Sequence, residues 1–176
     1  MDTKNLAELY HLPTMDWAAV QSRLDQGFPQ APSTGGPDRH TCWLTTLNPD
    51  GSPHVTAVGA IWADGAFWFQ SGESTRKGRN IALDSRCALS VATDQFDLVI
   101  DGDARRVTDP ATVAARARRW NEQGWPARVD DSGLALTAEF NAPSAGSPPW
   151  FVYRIEARAA TALATVDPGG ATRWRF

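Results

Sequence analysis

Two turn sequences divide residues 41–71 into three short runs of β-forming residues, and this constrains the fold more than any other feature. Thr41 to Leu47 is rich in β-branched and aromatic side chains, and Asn48-Pro-Asp-Gly-Ser-Pro53 follows it. In such a turn proline presets φ and glycine supplies a positive φ. His54 to Trp62 reads as the next strand. Ala63-Asp64-Gly65 then forms an Asp-Gly hairpin turn, and Ala66 to Ser71 is a third strand. The expectation is an antiparallel meander of three strands.

The hydrophobic period then changes. Ser74-Thr75 offers hydroxyl caps to a short helix, RKGRNIALD. Cys87 to Thr93 returns to period two, with Cys87, Leu89 and Val91 on one face. Leu98 to Val107 is a further strand with Gly102 as a bulge or kink. Thr108-Asp109-Pro110 starts a helix whose buried face is Val113, Ala114, Ala117 and Trp120. Trp150 to Ala157 is a strand with Phe151, Tyr153 and Ile155 inward. Asp167-Pro-Gly-Gly170 turns the chain into the final strand, Ala171 to Phe176. Before all of these lies a helical lead-in, in which Asp16 caps a helix burying Trp17, Val20 and Leu24, and Gly27 and Pro29 end it. Phe28 to Arg39 and Asn141 to Pro149 are Pro/Gly-rich loops. About seven strands in hairpins with few helices predict a mainly β, antiparallel fold. A closed or partly closed barrel removes the sheet edges.

At 176 residues the chain is long enough for one domain, residues 1–176, with a full core. Apolar residues are 42% and the net charge is −3, which gives no basis for binding nucleic acid or an anionic membrane. Eight tryptophans point to a thick core, an interface or an aromatic pocket. Cys42 and Cys87 sit in apolar strands and read as buried free thiols, which fits a reducing compartment. Neither a signal peptide nor an apolar run of membrane-spanning length is visible, so the expected location is cytoplasmic. His11, His40 and His54 are scattered, with no metal-ligand spacing, so no metal site is expected.

Chemistry concentrates between Phe67 and Arg86. Arg76 and Lys77 fall in the first turn of the predicted helix, where the helix dipole already presents positive charge. Two cations there oppose the dipole, and a bound anion such as phosphate resolves the conflict. Asn80 lies on the same face, four residues after Arg76. The alternative is a solvated basic patch. Arg116, Arg118 and Arg119 read as the wet face of a later helix or, alternatively, as a hold for an anionic tail or substrate, and Trp120, Trp125 and Trp150 as core, dimer contact or a wall over a ligand.

The segments FWFQS, RKxxNI and DSRCALSV, with TCWLTTLNPDGSPHVTAVGAIW before them, resemble the pyridoxamine 5′-phosphate oxidase-like FMN-binding split-barrel superfamily over Thr41 to Thr93. The Arg-Lys-x-x-Asn-Ile spacing is similar to its actinobacterial flavin- and deazaflavin-dependent branch. The resemblance implies a split barrel and a homodimer with the cofactor at the interface, FMN or coenzyme F420. Phosphate is expected on Arg76 and Lys77, aided by Asn80 and the cap residue Thr75. The backbone of Val55, Thr56, Ala57 and Val58 is expected along the ring, and Phe69, Gln70 and Ser71 near the ribityl chain and ring edge. The implied activity is hydride transfer to or from a small conjugated organic substrate. A non-catalytic flavin or haem carrier, or a flavin oxidase of the pyridoxamine phosphate type, are the alternatives. The C-terminal Arg173-Trp174-Arg175 does not match the substrate signature of the vitamin B6 oxidases. Trp174 either lines the cofactor or points inward from an ordinary last strand.

Overall fold

The computed structural model describes residues 1–30, 41–140 and 145–176. Among these are eleven strands and three α-helices: β1 (Asp2–Asn5), α1 (Trp17–Asp25), β2 (Thr41–Leu47), β3 (Pro53–Gly59), β4 (Ile61–Ala63), β5 (Ala66–Ser71), α2 (Arg76–Leu83), β6 (Arg86–Ala92), β7 (Phe96–Arg106), α3 (Pro110–Glu122), β8 (Arg128–Val129), β9 (Leu136–Thr137), β10 (Phe151–Ala164) and β11 (Ala171–Arg175). The fold is mainly antiparallel β with flanking helices, as the turn spacing predicts. The main sheet runs β1-β11-β10-β7-β6-β2-β3, and β4 and β5 branch from β10.

The branch explains why the barrel is split. β10 spans 14 residues, pairs β7 along one edge, and divides its other edge between two partners. Phe151 to Arg154 pair with β5, and Ala159 to Leu163 pair with β11. The register shifts between Ala157 and Ala159, where the strand changes neighbours. A bulge of this kind sharpens the local twist. Gly102 lies opposite, and a Cβ on it would stand 2.3 Å from the Glu156 carbonyl oxygen. The predicted irregularity at Gly102 is therefore real, but the extra residue, Arg158, belongs to β10. Among the described residues the sheet is not closed by hydrogen bonds, and β3 is a terminal strand.

Two expectations need correction. The predicted strand His54 to Trp62 is broken at Ala60: β3 pairs β2, whereas β4 pairs β5. β2 therefore lies between β3 and β6, and the three-strand meander does not form. The N-terminal lead-in also holds a strand, β1, hydrogen-bonded to β11. A polar four-residue run carries too little periodicity to announce itself, and its partner lies at the other end of the chain. Local signals fared better. Asp16, Thr75 and Asp109 cap the three helices, each accepting from a first-turn N–H. Asp64 and Gly65 have φ of 49° and 67°, as a tight primed hairpin turn requires.

The main core lies inside the curled sheet and gathers Leu44, Phe67, Phe69, Leu89, Leu98, Ile155 and Trp174, with Trp17, Val20 and Leu24 of α1. A second cluster lies where α3 covers the other face of β5 and β10, and contains Trp68, Val113, Ala117, Trp120, Trp150 and Val152. Trp125 lies 5.3 Å from Trp150 and 6.2 Å from Trp120, ring centre to ring centre. These three tryptophans are thus packing for α3. Arg116 is not on the wet face. It is 9% exposed, ion-paired to Asp64 at 2.6 Å, with its guanidinium 4.6 Å from the centre of the Trp68 ring. Arg118 and Arg119 are exposed as expected, and Ala114 is half-buried. Of the two predicted loops, residues 31–40, with His40, and 141–144 lie outside the described residues.

Candidate functional site

The site is built around the loop that carries β5 into α2. Gly72 donates its N–H to the Ala145 carbonyl at 2.9 Å. The Thr75 hydroxyl accepts from Gly78 N–H at 3.0 Å and donates to the Gly72 carbonyl at 2.8 Å, and Ser71 Oγ stands 2.8 Å from it. A Cβ at Gly78 would meet the Gly72 carbonyl at 2.4 Å. Glycine at 78 therefore lets the loop lie directly on the first turn of the helix. This close approach fixes where the turn points.

That turn presents Arg76 and Lys77 with no acidic residue among its own positions. The two cations differ in setting: Arg76 is exposed, whereas Lys77 is 2% exposed. Burial lowers the Lys77 pKa from its ordinary 10.5 to about 8, because desolvation penalises the ammonium form. Asn80 is 1% exposed, and its amide donates to Thr46 Oγ1 at 3.0 Å and Asn48 Oδ1 at 3.2 Å. Arg76 Nη1 reaches the same Asn48 oxygen at 3.4 Å. The structure thus brings Thr75, Arg76, Lys77 and Asn80 together. It gives Asn80 the task of tying α2 to the β2–β3 turn. Asn48 and Thr46 are additions that sequence reasoning missed. Asn48 was visible only as a turn former, since its partner is 32 residues away.

The other expected residues divide by strand alternation. On β3, Thr56 and Val58 lie opposite Leu44 and Cys42 on the inner face, while Val55 and Ala57 lie opposite Thr45 and Trp43 on the outer face. The four side chains therefore do not line one pocket. Their shared feature is a backbone edge, because among the described residues β3 pairs only with β2. His54 lies opposite Thr46, on the α2 side of this arrangement. On β5, Ser71 and Phe69 face the same way as their partners Phe151 and Tyr153. Phe69 stacks on Tyr153 at 5.2 Å, and burial raises the Tyr153 pKa. Gln70 faces Val152 on the opposite side of the sheet; it is 6% exposed, and its Oε1 has no hydrogen-bond partner among the described residues. Trp174 packs on Trp17 at 5.2 Å in the main core, apart from the α2 group.

Two further side chains border the Gly72–Thr75 loop. Arg106, at the end of β7, pairs with Glu73 at 2.5 Å and lies 3.3 Å over the centre of the Phe151 ring. Nothing in the local pattern of β7 distinguishes this arginine from Arg105. The cysteines contribute no chemistry: both are free, and burial pushes each thiol up to about 12. Among the described residues no group of three His, Cys, Asp or Glu side chains is placed to hold a metal ion. No described helix is long and apolar enough to cross a membrane.

Comparison with known proteins fits this geometry. No curated protein sequence matches the chain. Among solved structures, PhzG from Burkholderia lata 383, in complex with tetrahydrophenazine-1-carboxylic acid, is similar with a TM-score of 0.60 at 15% identity, covering 95% of this chain and 90% of that one. Rv2991 from Mycobacterium tuberculosis is similar with a TM-score of 0.57 at 20% identity, over 85% of this chain and 84% of that one. Atu2129 from Agrobacterium tumefaciens str. C58 gives 0.51 at 23% identity, over 70% of this chain and 50% of that one. At these identities the likeness establishes the shared fold. A sequence model of the pyridoxamine 5′-phosphate oxidase family matches residues 34–140, which include β2 through α3 and the whole α2 site. With the split sheet and more than half of the chain in agreement, the protein belongs to the pyridoxamine 5′-phosphate oxidase family.

Proposed function

We propose that the chain is a homodimeric redox enzyme that binds a flavin or deazaflavin, FMN or coenzyme F420, with the cofactor phosphate at the start of α2. The observation that carries this reading is Lys77, a buried ammonium in the first turn of a helix beside the exposed Arg76. A buried cation at a positive helix end is doubly unfavourable, and a phosphate relieves both terms. Arg76 offers a planar fork and Lys77 a point charge. Gly72 and Gly78 permit the close backbone packing that holds the cradle in place.

The rest of the group fits the same ligand. The edge of β3 at Val55–Val58, unpaired among the described residues, carries backbone donors and acceptors suited to the polar rim of an isoalloxazine or deazaisoalloxazine. Ser71 and Thr75, whose hydroxyls meet at 2.8 Å at the helix start, suit the ribityl hydroxyls of such a cofactor. The bound ring supplies the hydride chemistry, and this chain supplies grip, orientation and electrostatics. The substrate class favoured is a small conjugated organic molecule able to lie against the ring.

The outer face of the sheet supports the dimer. Trp43, Ser90, Val99 and Thr161 form one cross-strand row, and with Leu163 they line an open groove of about 340 Å³. Trp43 and Leu163 are each at least half exposed, an apolar surface suited to an isologous contact with a second copy.

The test is titration of the purified chain with FMN and with coenzyme F420, followed by reduction and mixing with candidate acceptors. Replacing Arg76 and Lys77 together by alanine should weaken binding by ~3 kcal/mol or more. An unchanged dissociation constant for both cofactors refutes the site.

A further inference from the structure

We infer that Arg106 is a third phosphate-binding side chain of the α2 cradle, masked by Glu73 until the anion arrives. The inference rests on the cofactor reading above and adds to it a residue from β7, 29 positions beyond Lys77 in the chain.

The geometry begins at Glu73. Its Cα lies 3.1 Å from where a Gly78 Cβ would stand, so its backbone is packed on the first turn of α2. The Gly72 hydrogen bond to Ala145 and the Thr75 cap pin the loop on both sides of it. The carboxylate it extends is therefore tethered to the helix start. Arg106 is bound to that carboxylate at 2.5 Å, and its guanidinium carbon stands 3.3 Å over the centre of the Phe151 ring. Phe151 in turn pairs with Ser71, whose hydroxyl meets the Thr75 cap. Glu73, Arg106, Phe151, Ser71 and Thr75 thus form one contiguous ring around the loop.

In this arrangement Glu73 is the only carboxylate paired with Arg106 among the described residues. Its side chain is 64% exposed, and that of Arg106 is 39%. Exchange of such a pair costs little, because exposed ion pairs are weak. A phosphate group, doubly charged in FMN and singly charged in the phosphodiester of F420, offers Arg106 two oxygens for a bidentate contact, where Glu73 meets it through one. Phe151 holds the guanidinium plane while the partner changes, since a cation stacked on a ring keeps its in-plane N–H groups free. Glu73 then swings to solvent, which its exposure permits. The device also imposes selectivity: a ligand without an anionic tail leaves the Glu73–Arg106 pair intact and gains nothing from Arg106.

The experiment is a double-mutant cycle on the full chain with Glu73→Gln, Arg106→Gln and the pair together. Probes are FMN against riboflavin, and coenzyme F420 against the deazaflavin riboside lacking its phosphodiester. E73Q should tighten binding of the phosphorylated probe several-fold, and R106Q should weaken it about tenfold or more. The phosphate-free probes should be unaffected. In the R106Q background, E73Q should lose most of its effect. That coupling separates unmasking of Arg106 from simple repulsion by Glu73, which would persist in both backgrounds. Equal effects of E73Q in both backgrounds, or an R106Q protein that binds FMN and F420 like wild type, overturn the inference. Arg76→Ala with Lys77→Ala, run in parallel, tests the cradle itself. If that variant weakens binding while the cycle shows no coupling, only the Arg106 assignment falls. If that variant too binds like wild type, the cofactor reading falls with it.

Discussion

Replacing Lys77 by methionine tests the buried cation without any ligand. The side chain is 2% exposed, and burial takes its pKa from 10.5 to about 8. In the unfolded chain the same group titrates near its ordinary value. Between pH 8 and 10.5 the unfolded state therefore binds more protons than the native state, and stability rises with pH across that window. Below pH 8 the full penalty is present, on the order of 3 kcal/mol from about 1.4 kcal/mol for each tenfold change in proton affinity. Methionine fills similar volume with no charge, so K77M carries no such pH term. Urea unfolding of both proteins at pH 7 and pH 10 isolates it, because every other titrating group is common to the two chains. The stability of wild type minus that of K77M should rise by about 2.5 kcal/mol from pH 7 to pH 10. Saturating FMN or F420 should flatten the difference, since a bound phosphate holds the ammonium charged. A difference that stays level between the two pH values without ligand, or that falls, refutes the reasoning.

Further substitutions probe the scaffold and the dimer. Gly102→Ala places a methyl 2.3 Å from the Glu156 carbonyl oxygen, so chemical denaturation should show a loss of ~2–4 kcal/mol. Arg116→Ala strips Trp68 of its stacked guanidinium and Asp64 of its partner. It should cost ~1–3 kcal/mol, while exposed Arg118→Ala stays within about 0.5 kcal/mol, both measured as urea midpoints. Trp43→Glu puts a charge on the outer-face row, and sedimentation should show monomers where wild type is dimeric. A wild-type chain that sediments as a monomer with cofactor bound contradicts the dimer.

Much of the fold was legible because its signals are local. Caps at Asp16, Thr75 and Asp109, the turns at Asp64-Gly65 and Asp167–Gly170, the period-two runs of β2 and β6, and the β-forming run of β5 each depend on residues within a few positions of one another. The four α2 residues were legible for the same reason, since a cap and a helical repeat bring Thr75, Arg76, Lys77 and Asn80 together. The break at Ala60 was not, because β3 and β4 share one continuous β-forming run and separate only when each finds its own partner. Arg116 was misread as solvated because one helical turn cannot reveal that Asp64 and Trp68 wait 52 and 48 positions earlier.

By itself the sequence determined most of the strands and helices, where they turn, and that two cations crowd one helix start, all consequences of steric and electrostatic rules acting over a few residues. Tertiary structure alone decided which half of β10's shared edge takes β5 and which takes β11, that Lys77 is buried while Arg76 is not, that Asn48 anchors Asn80, and that Glu73 meets Arg106. Apart from the β10–β11 hairpin, those contacts join residues about 30 to 90 positions apart, where loop closure and packing choose among partners that short-range chemistry leaves equivalent.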